Sequence, residues 1–463
     1  MFTLTTSSSS RKQILLTTAV AIALGATRAA IGATFTNNAG FGGSLWNLGA
    51  NWNPTSVPDS TTIAYIPATF TNADGNLYIT NTGAGSLSPS ASVGVLVVNS
   101  APGAVGTIRA SNSTSPSTAR DAVLTFGSAS VGGGLIFDPA ESGVLNIGAN
   151  TDDDGVLTLD VPRSLTFVGP GALNIEFFKA RIIGAGSVSF LNVSTTTLQI
   201  YQLNGTATGS STFSGGSTIG PLTEVIVYRP WTGGATPKGP LGTGTVHLNG
   251  GTLHLTSAAD TLGNAINVIA HSTLDTPIGV NLPGSLKTNG NRLSIRNGGT
   301  VTFDNTIFHA TDTGTIAFPS LPDSTASHFV VNSGTSTYGG AIGEITDTTL
   351  LHLRQRIIKT GSGTLEVKHF RTKTLEIMSG AVRVLPSGTN QVGDDSGVSR
   401  LNEIHFDNNS APSTILDLEN NDLVLSWKDV DPIGSLSSAT SGGGIARLIQ
   451  TAFNNDDALG TPR

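Results

Sequence analysis

Apolar residues recur at every second position along much of this chain, in short runs separated by glycine. In the stretch Gly361 to Leu385, Leu365 and Val367 alternate with Thr364, Glu366 and Lys368, and the same period returns at Leu375/Ile377 and Val382/Val384. Alternation of this kind gives a strand one dry face, so three short strands are predicted here. Gly361/Gly363 and Gly380 precede the first and third, where the backbone can turn with positive φ at no steric cost. A unit this thin cannot bury its apolar face alone and needs copies of itself stacked above and below.

Copies are present. Gly184-Ala-Gly-Ser-Val-Ser-Phe190, Gly242-Thr-Gly-Thr-Val-His-Leu248 and Gly361-Ser-Gly-Thr-Leu-Glu-Val367 share a Gly-x-Gly-Ser/Thr-apolar-x-apolar pattern. Gly250-Gly-Thr-Leu-His-Leu255 and Gly298-Gly-Thr-Val-Thr-Phe303 form a second type, with Ser379-Gly-Ala-Val-Arg-Val384 as a variant. The alternation of the two forms resembles the autotransporter-associated β-strand repeat of large secreted bacterial proteins, over roughly residues 121–400. That resemblance implies an all-β chain wound as a right-handed parallel β-helix or β-solenoid, similar to autotransporter passenger domains. A coil of roughly 20–25 residues repeated along the chain would give an elongated molecule.

Further strands are expected at Leu77–Thr80, Val93–Val98, Leu135/Phe137, Val144 to Ile147, Val156 to Leu159, Leu165/Phe167 and Leu173/Ile175, with no helical period among them. Even spacing of short strands also suits a propeller or a sandwich. No fixed aromatic signature at a blade-sized period appears, which favours the solenoid. The stretch Ser111 to Thr118 is too polar to pack and is expected as a loop.

The two ends differ from the middle. Residues 1–33 read as a signal peptide: Arg11 and Lys12 precede an apolar run from Ile14 to Ala26, then small residues, with cleavage sites fitting after Ala29, Gly32 or Ala33. The apolar run is shorter than the roughly 20 residues a membrane span needs, so the mature chain is expected outside the cell or on its surface. Residues 34–110 are expected to hold the first coils and a cap. Trp46 and Trp52 stand in its most aromatic stretch, either as a lid over the open end of the stack or as a sugar-stacking platform. The string from Trp46 to Ile66 resembles the unit found ahead of these repeats, which favours the lid. Residues 401–463 carry final strands near Ile404–Phe406, Thr414–Leu418 and Asp422–Trp427, with a tight turn at Glu419 to Asp422. Ile445 to Phe453 has apolar residues at i, i+3, i+4 and i+8, predicting a short helix that plugs the C-terminal end. Too few residues follow the repeats for a translocating membrane barrel.

Composition narrows the chemistry. The 57 glycines and only 12% charged residues suit thin strands and turns rather than a helical enzyme. A net charge of −7 with 24 scattered Lys+Arg offers no basic stripe, so nucleic acid is not an expected partner. The absence of cysteine excludes disulfides, thiolate nucleophiles and Cys-ligated zinc.

Asn150-Thr-Asp152 with Asp153 and Asp154 resembles the acidic motifs of polygalacturonases, β-helix enzymes in which paired carboxylates act as acid and base. In an extended segment Asp152 and Asp154 share a side and Asp153 takes the other, so only the outer pair could act together. The family's Gly-His-Gly element is missing, and the nearest basic match is Arg356-Ile-Ile-Lys359. A solvated turn is the alternative for Asp152 to Asp154. Calcium could gather at Asp152–Asp154, Asp394/Asp395 or Asp417/Glu419/Asp422, although none has an EF-hand spacing. His247 and His254 have neither a third histidine nor a metal motif and are expected to point outward. Tyr228, Arg229 and Trp231 form an aromatic loop cluster, either a ligand patch or a cover for a coil edge. The sequence is thus read as an exported structural or adhesin-like solenoid without catalysis or cofactor, whose partners would be surface polysaccharide or other surface proteins. A pectinase-like enzyme and a carbohydrate-binding module are the alternatives.

Overall fold

The computed structural model describes residues 33–36, 44–46, 51–66, 76–79, 90–98, 107–110, 121–137, 142–148, 156–169, 172–178, 180–192, 198–202, 211–227, 241–256, 260–276, 279–297, 300–318, 326–343, 356–386, 398–406, 414–419 and 421–425. These residues are all-β, with no α-helix among them, and their strands pair almost entirely in parallel. The chain divides into two compact units, Met1–Val301 and Thr302–Arg463.

In the first unit, consecutive strands go to different sheets. Ser90–Val93, Val95–Val98 and Thr107–Ala110 belong to three separate sheets. The next three strands, Ala122–Phe126, Gly133–Phe137 and Ser142–Gly148, pair in parallel with them in the same order. Leu157–Asp160, Ser164–Gly169 and Ala172–Phe178 repeat the cycle. This solenoid-like winding aligns inward positions into ladders. One ladder runs Ala33, Ala64, Leu96, Leu135, Phe167, Phe190, Ile219, Leu248, Val268, each in register with the next. All nine are at most 4% exposed. Burying such a column removes apolar surface at about 25 cal/mol per Å², which is the main favourable term for a fold whose single strands have nothing else to pack on. Stacked partners are 35 residues apart in sequence at Thr125 and Asp160 but 20 apart at His247 and Asn267. The early coils therefore exceed the expected length, because loops between strands can lengthen at little entropic cost without shifting the register.

The Gly-x-Gly motif is explained by stacked turns. The first glycine of each copy has positive φ: +110° at Gly184, +72° at Gly242 and +81° at Gly361. A Cβ on the second would come within 2.6 Å of Val161 O at Gly186, 2.4 Å of Gly216 N at Gly244 and 2.7 Å of Gly334 O at Gly363. The first glycine makes the turn, and both let the neighbouring turn approach, since a Cβ on the first would itself stand 2.3 Å from Val161 O at Gly184, 2.4 Å from Phe213 O at Gly242 and 2.2 Å from Val331 O at Gly361.

Sheet faces are not uniformly polar outside. Opposite the ladder, Val95, Ile136 and Val168 form a second buried cluster with Ile63 and Val97 packed on it. The near-continuous apolar run Val95-Leu-Val-Val98 is that of a parallel strand buried on both faces. The expected strand Val93–Val98 is broken at Gly94, where the chain leaves one sheet for another. At the start of the unit, Ala33–Phe35 pairs in parallel with Ile63–Ile66 and antiparallel with Trp52–Asn53. Trp46 and Trp52 are 0% and 1% exposed, their ring centroids 4.9 Å apart, and Trp52 stands edge-on to Phe35 at 4.8 Å. Trp52 Nε1 donates to Trp46 O at 2.8 Å. Rings this deeply buried cannot stack on a sugar, which removes the platform alternative.

In the second unit, two of the three short strands expected between Gly361 and Leu385 are one strand, Thr364–Ile377. Its first half pairs with Thr335–Ile342 and Gly380–Val384, its second half with Arg356–Thr360 and Ser399–Phe406. The alternation slips at His369 and Phe370, both buried, where the strand turns the corner between two sheets without a glycine. Phe303 and Phe329 stack at 4.6 Å in the interior, with Phe308 tilted against Phe329 at 6.1 Å and against Tyr338 at 5.5 Å.

Candidate functional site

The residues singled out by sequence, Asp152, Asp153 and Asp154 and likewise Tyr228, Arg229 and Trp231, lie outside the described residues, as do Asp394, Asp395 and the segment Ile445 to Phe453. The strand that follows the acidic run is fixed: Val156 N donates to Asp121 Oδ1 at 2.9 Å and Val156 O accepts from Ala122 N at 3.0 Å.

Arg356 and Lys359, the basic match for a pectinase-like site, do not share a face. Arg356 is outward and grips Glu376 on the next strand, Nε to Oε1 at 2.5 Å and Nη2 to Oε2 at 2.6 Å. Hydrogen bonding to Glu376 raises its already high pKa further. Lys359 points inward, in register between Phe329 and Ile377, with 0% exposure. Its Nζ donates to the carbonyls of Thr360 and Gly361 at 2.8 Å and of Ser379 at 3.1 Å. Three carbonyls match the three N–H bonds of an ammonium. Burial nevertheless pushes its pKa down to about 8. The lysine thus clamps two stacked turns and is out of reach of any substrate.

Both histidines face outward as expected, on different sheets. His247 lies in register between Thr218 and Asn267, and its Nδ1 is 3.2 Å from Asn267 Nδ2. Asn289 extends this network by donating to Asn267 Oδ1 at 2.5 Å. His254 has a carboxylate partner that sequence reading missed: its Nδ1 is 3.2 Å from Glu224 Oε1. Asp275 sits in register beside it on the following strand, and Arg296 beside Asp275. The hydrogen bond to Glu224, aided by the charges of Asp275 and Glu224, raises the His254 pKa against the opposing effect of burial. Glu224 is 30 residues from His254 in sequence. Its only legible signal would have been the alignment of one coil on the next.

Asp417 and Glu419, two of the three acidic residues of the C-terminal group, are committed to an arginine. Arg383 Nη1 reaches Glu366 Oε1 at 2.9 Å, while its Nε lies 3.1 Å from Asp417 Oδ2 and 3.6 Å from Glu419 Oε1. Thr337 Oγ1 adds a bond to Glu366 Oε2 at 2.6 Å. A cation at Asp417 and Glu419 would have to displace that guanidinium. Among the described residues no group of three or more His, Cys, Asp or Glu side chains could hold a metal ion. The expected turn is present, with Asn421 N donating to Leu418 O at 2.9 Å.

No family model matches the chain, and no curated protein or solved structure is significantly similar to it.

Proposed function

We propose that this chain is an exported, non-catalytic β-solenoid of right-handed, passenger-like type that acts as a structural or adhesin-like module of the cell surface or extracellular matrix. The observation that carries this reading is the unbroken inward ladder from Ala33 to Val268, a core devoted to stacking. Outward charges support it, since Arg356 is paired with Glu376 and Arg383 with Glu366 and Asp417 rather than gathered in a reactive group. The opposed faces of Arg356 and Lys359 weigh against the pectinase-like alternative. In this reading Trp46 and Trp52 close the first coil, and Ile445 to Phe453 forms the helix at the other end. The partners would be surface polysaccharides or neighbouring surface proteins, met by exposed loops.

Two measurements test the proposal. Cells producing the native chain should export it with a new N terminus, and protease added outside should digest it; an unprocessed chain held inside would sink the export reading. Because the inward ladder begins at Ala33, processing is expected at Ala29 or Gly32, leaving that residue in place. Purified protein should release no reducing ends from polygalacturonate. Hydrolysis abolished by Asp152→Asn would replace this reading with that of a β-helix hydrolase.

A further inference from the structure

Two aliphatic side chains stand exposed on one corner of the first unit, and at each the backbone departs from regular geometry. The corner joins the sheet of the inward ladder to the sheet that carries His254. The chain passes it between Ile219 and Thr223, between Asn249 and Thr252, between Ala270 and Ser272 and between Lys287 and Arg292, coil upon coil. Leu222 and Ile269 are each 47% exposed there. Leu222 has φ +56°, a left-handed conformation that strains a residue with a Cβ. Ile269 is the extra residue of a bulge, since Leu248 pairs with Val268 and Asn249 with Ala270. The bulge is held from the next coil: Asn289 Nδ2 donates to Val268 O at 3.0 Å, and Asn291 Nδ2 to Val268 O at 3.1 Å and Ile269 O at 3.0 Å. The coil between turns at Gly250 and Gly251, so Leu222 and Ile269 are two strand spacings apart, about 10 Å. Strain kept at an exposed leucine and a clamped bulge under an exposed isoleucine mark side chains held outward for a use.

We infer that this corner is a docking ridge for a lipid surface with acidic head groups. The inference rests on the cell-surface reading given above and adds the means by which the chain is retained there. Charge selects the partner. The whole chain carries −7, yet residues 177–301, which include the corner, hold seven Lys and Arg against three acids, Glu224, Asp260 and Asp275. Glu224 and Asp275 lie past the corner beside His254, and Asp260 is on another sheet. Lys287 is exposed at the corner itself, and Arg292 follows on the same turn. Aliphatic side chains flanked by cations match acyl chains beneath acidic head groups. An acidic glycan would meet the cations but leave Leu222 and Ile269 without an apolar partner. A second copy apposed by the same corner would bring cation against cation.

Pelleting of the purified full chain with vesicles tests the inference and does not depend on export. Vesicles of phosphatidylcholine and phosphatidylglycerol in equal parts should bind it, those of phosphatidylcholine alone should not, and added salt should weaken the binding. Leu222→Asn with Ile269→Thr keeps the charge and suits both backbones, since asparagine tolerates positive φ and threonine is β-branched. This double variant should bind at least about tenfold more weakly, having lost two aliphatic side chains to transfer. It should be no less stable in urea, because the strain at Leu222 is relieved. Lys287→Gln should flatten the salt dependence. Unchanged binding by the double variant, or a variant that unfolds at lower urea than the native chain, would overturn the ridge. Failure to pellet with the mixed vesicles would overturn it too, in favour of an acidic glycan where dextran sulfate retains the chain. A dimer lost in the double variant would overturn it in favour of a second copy. An unprocessed chain held inside the cell would instead refute the surface reading, whatever the vesicles show.

Discussion

Arg356 and Lys359, three positions apart on one strand, leave it by opposite faces: the guanidinium binds Glu376 outside and the ammonium is sealed inside under Phe329. Period two makes this unavoidable, because residues separated by an odd number of positions cannot share a strand face. The buried lysine makes stability depend on pH. Its pKa is near 8 in the folded chain against the ordinary 10.5, so between those values the unfolded chain holds a proton that the folded chain has released. Stability therefore rises with pH across that window, by about 3 kcal/mol if the whole shift is realised. Urea denaturation from pH 7.5 to 10.5 should show this rise in the native protein, and Lys359→Met should flatten it.

Gly361 and Gly334 both have positive φ, +81° and +68°, but only one is crowded. A Cβ at Gly361 would stand 2.2 Å from Val331 O, while at Gly334 nothing lies within 4 Å. Alanine at Gly334 should cost about 1–2 kcal/mol from backbone strain alone. Alanine at Gly361 should cost at least twice that, because the stacked turn must also move. Equal melting shifts for the two variants would contradict the stacked-turn account of the Gly-x-Gly motif.

Trp46 and Trp52 are equally buried but differ in their indole N–H. Trp52 Nε1 has an acceptor in Trp46 O, while Trp46 Nε1 has none among the described residues. Replacement by phenylalanine removes similar volume at either position, so the difference between variants isolates the hydrogen bond. Trp52→Phe should be more destabilising than Trp46→Phe by about 1 kcal/mol or more in denaturant titrations.

His254 should remain protonated to higher pH than a free histidine, because Glu224 bonds to its ring and Asp275 lies beside it. A raised folded pKa stabilises the protein fully below the unfolded value, and that contribution disappears as pH rises through the folded value. An NMR titration should place the His254 midpoint above that of an unstructured peptide. Glu224→Gln should lower the midpoint, since it removes the largest cause of the shift.

Local pattern determined much of this protein. Strand positions, inward and outward residues and the need for stacking all follow from a two-residue period, which each stretch carries within itself. The positive φ of Gly361 was legible for the same reason. What lay between coils was not legible. The pairing of His254 with Glu224 and the close approach at Gly363 depend on which residue stacks on which. Coil lengths vary, with register partners 39 residues apart at Leu96 and Leu135 but 17 apart at Leu365 and Val382. Tertiary structure alone decided them, because loops change length without cost to the strands while a contact exists only once the register is set. The inward turn of Lys359 stood between the two cases: alternation placed it inside, and only the carbonyls of two stacked turns made a buried ammonium tolerable there.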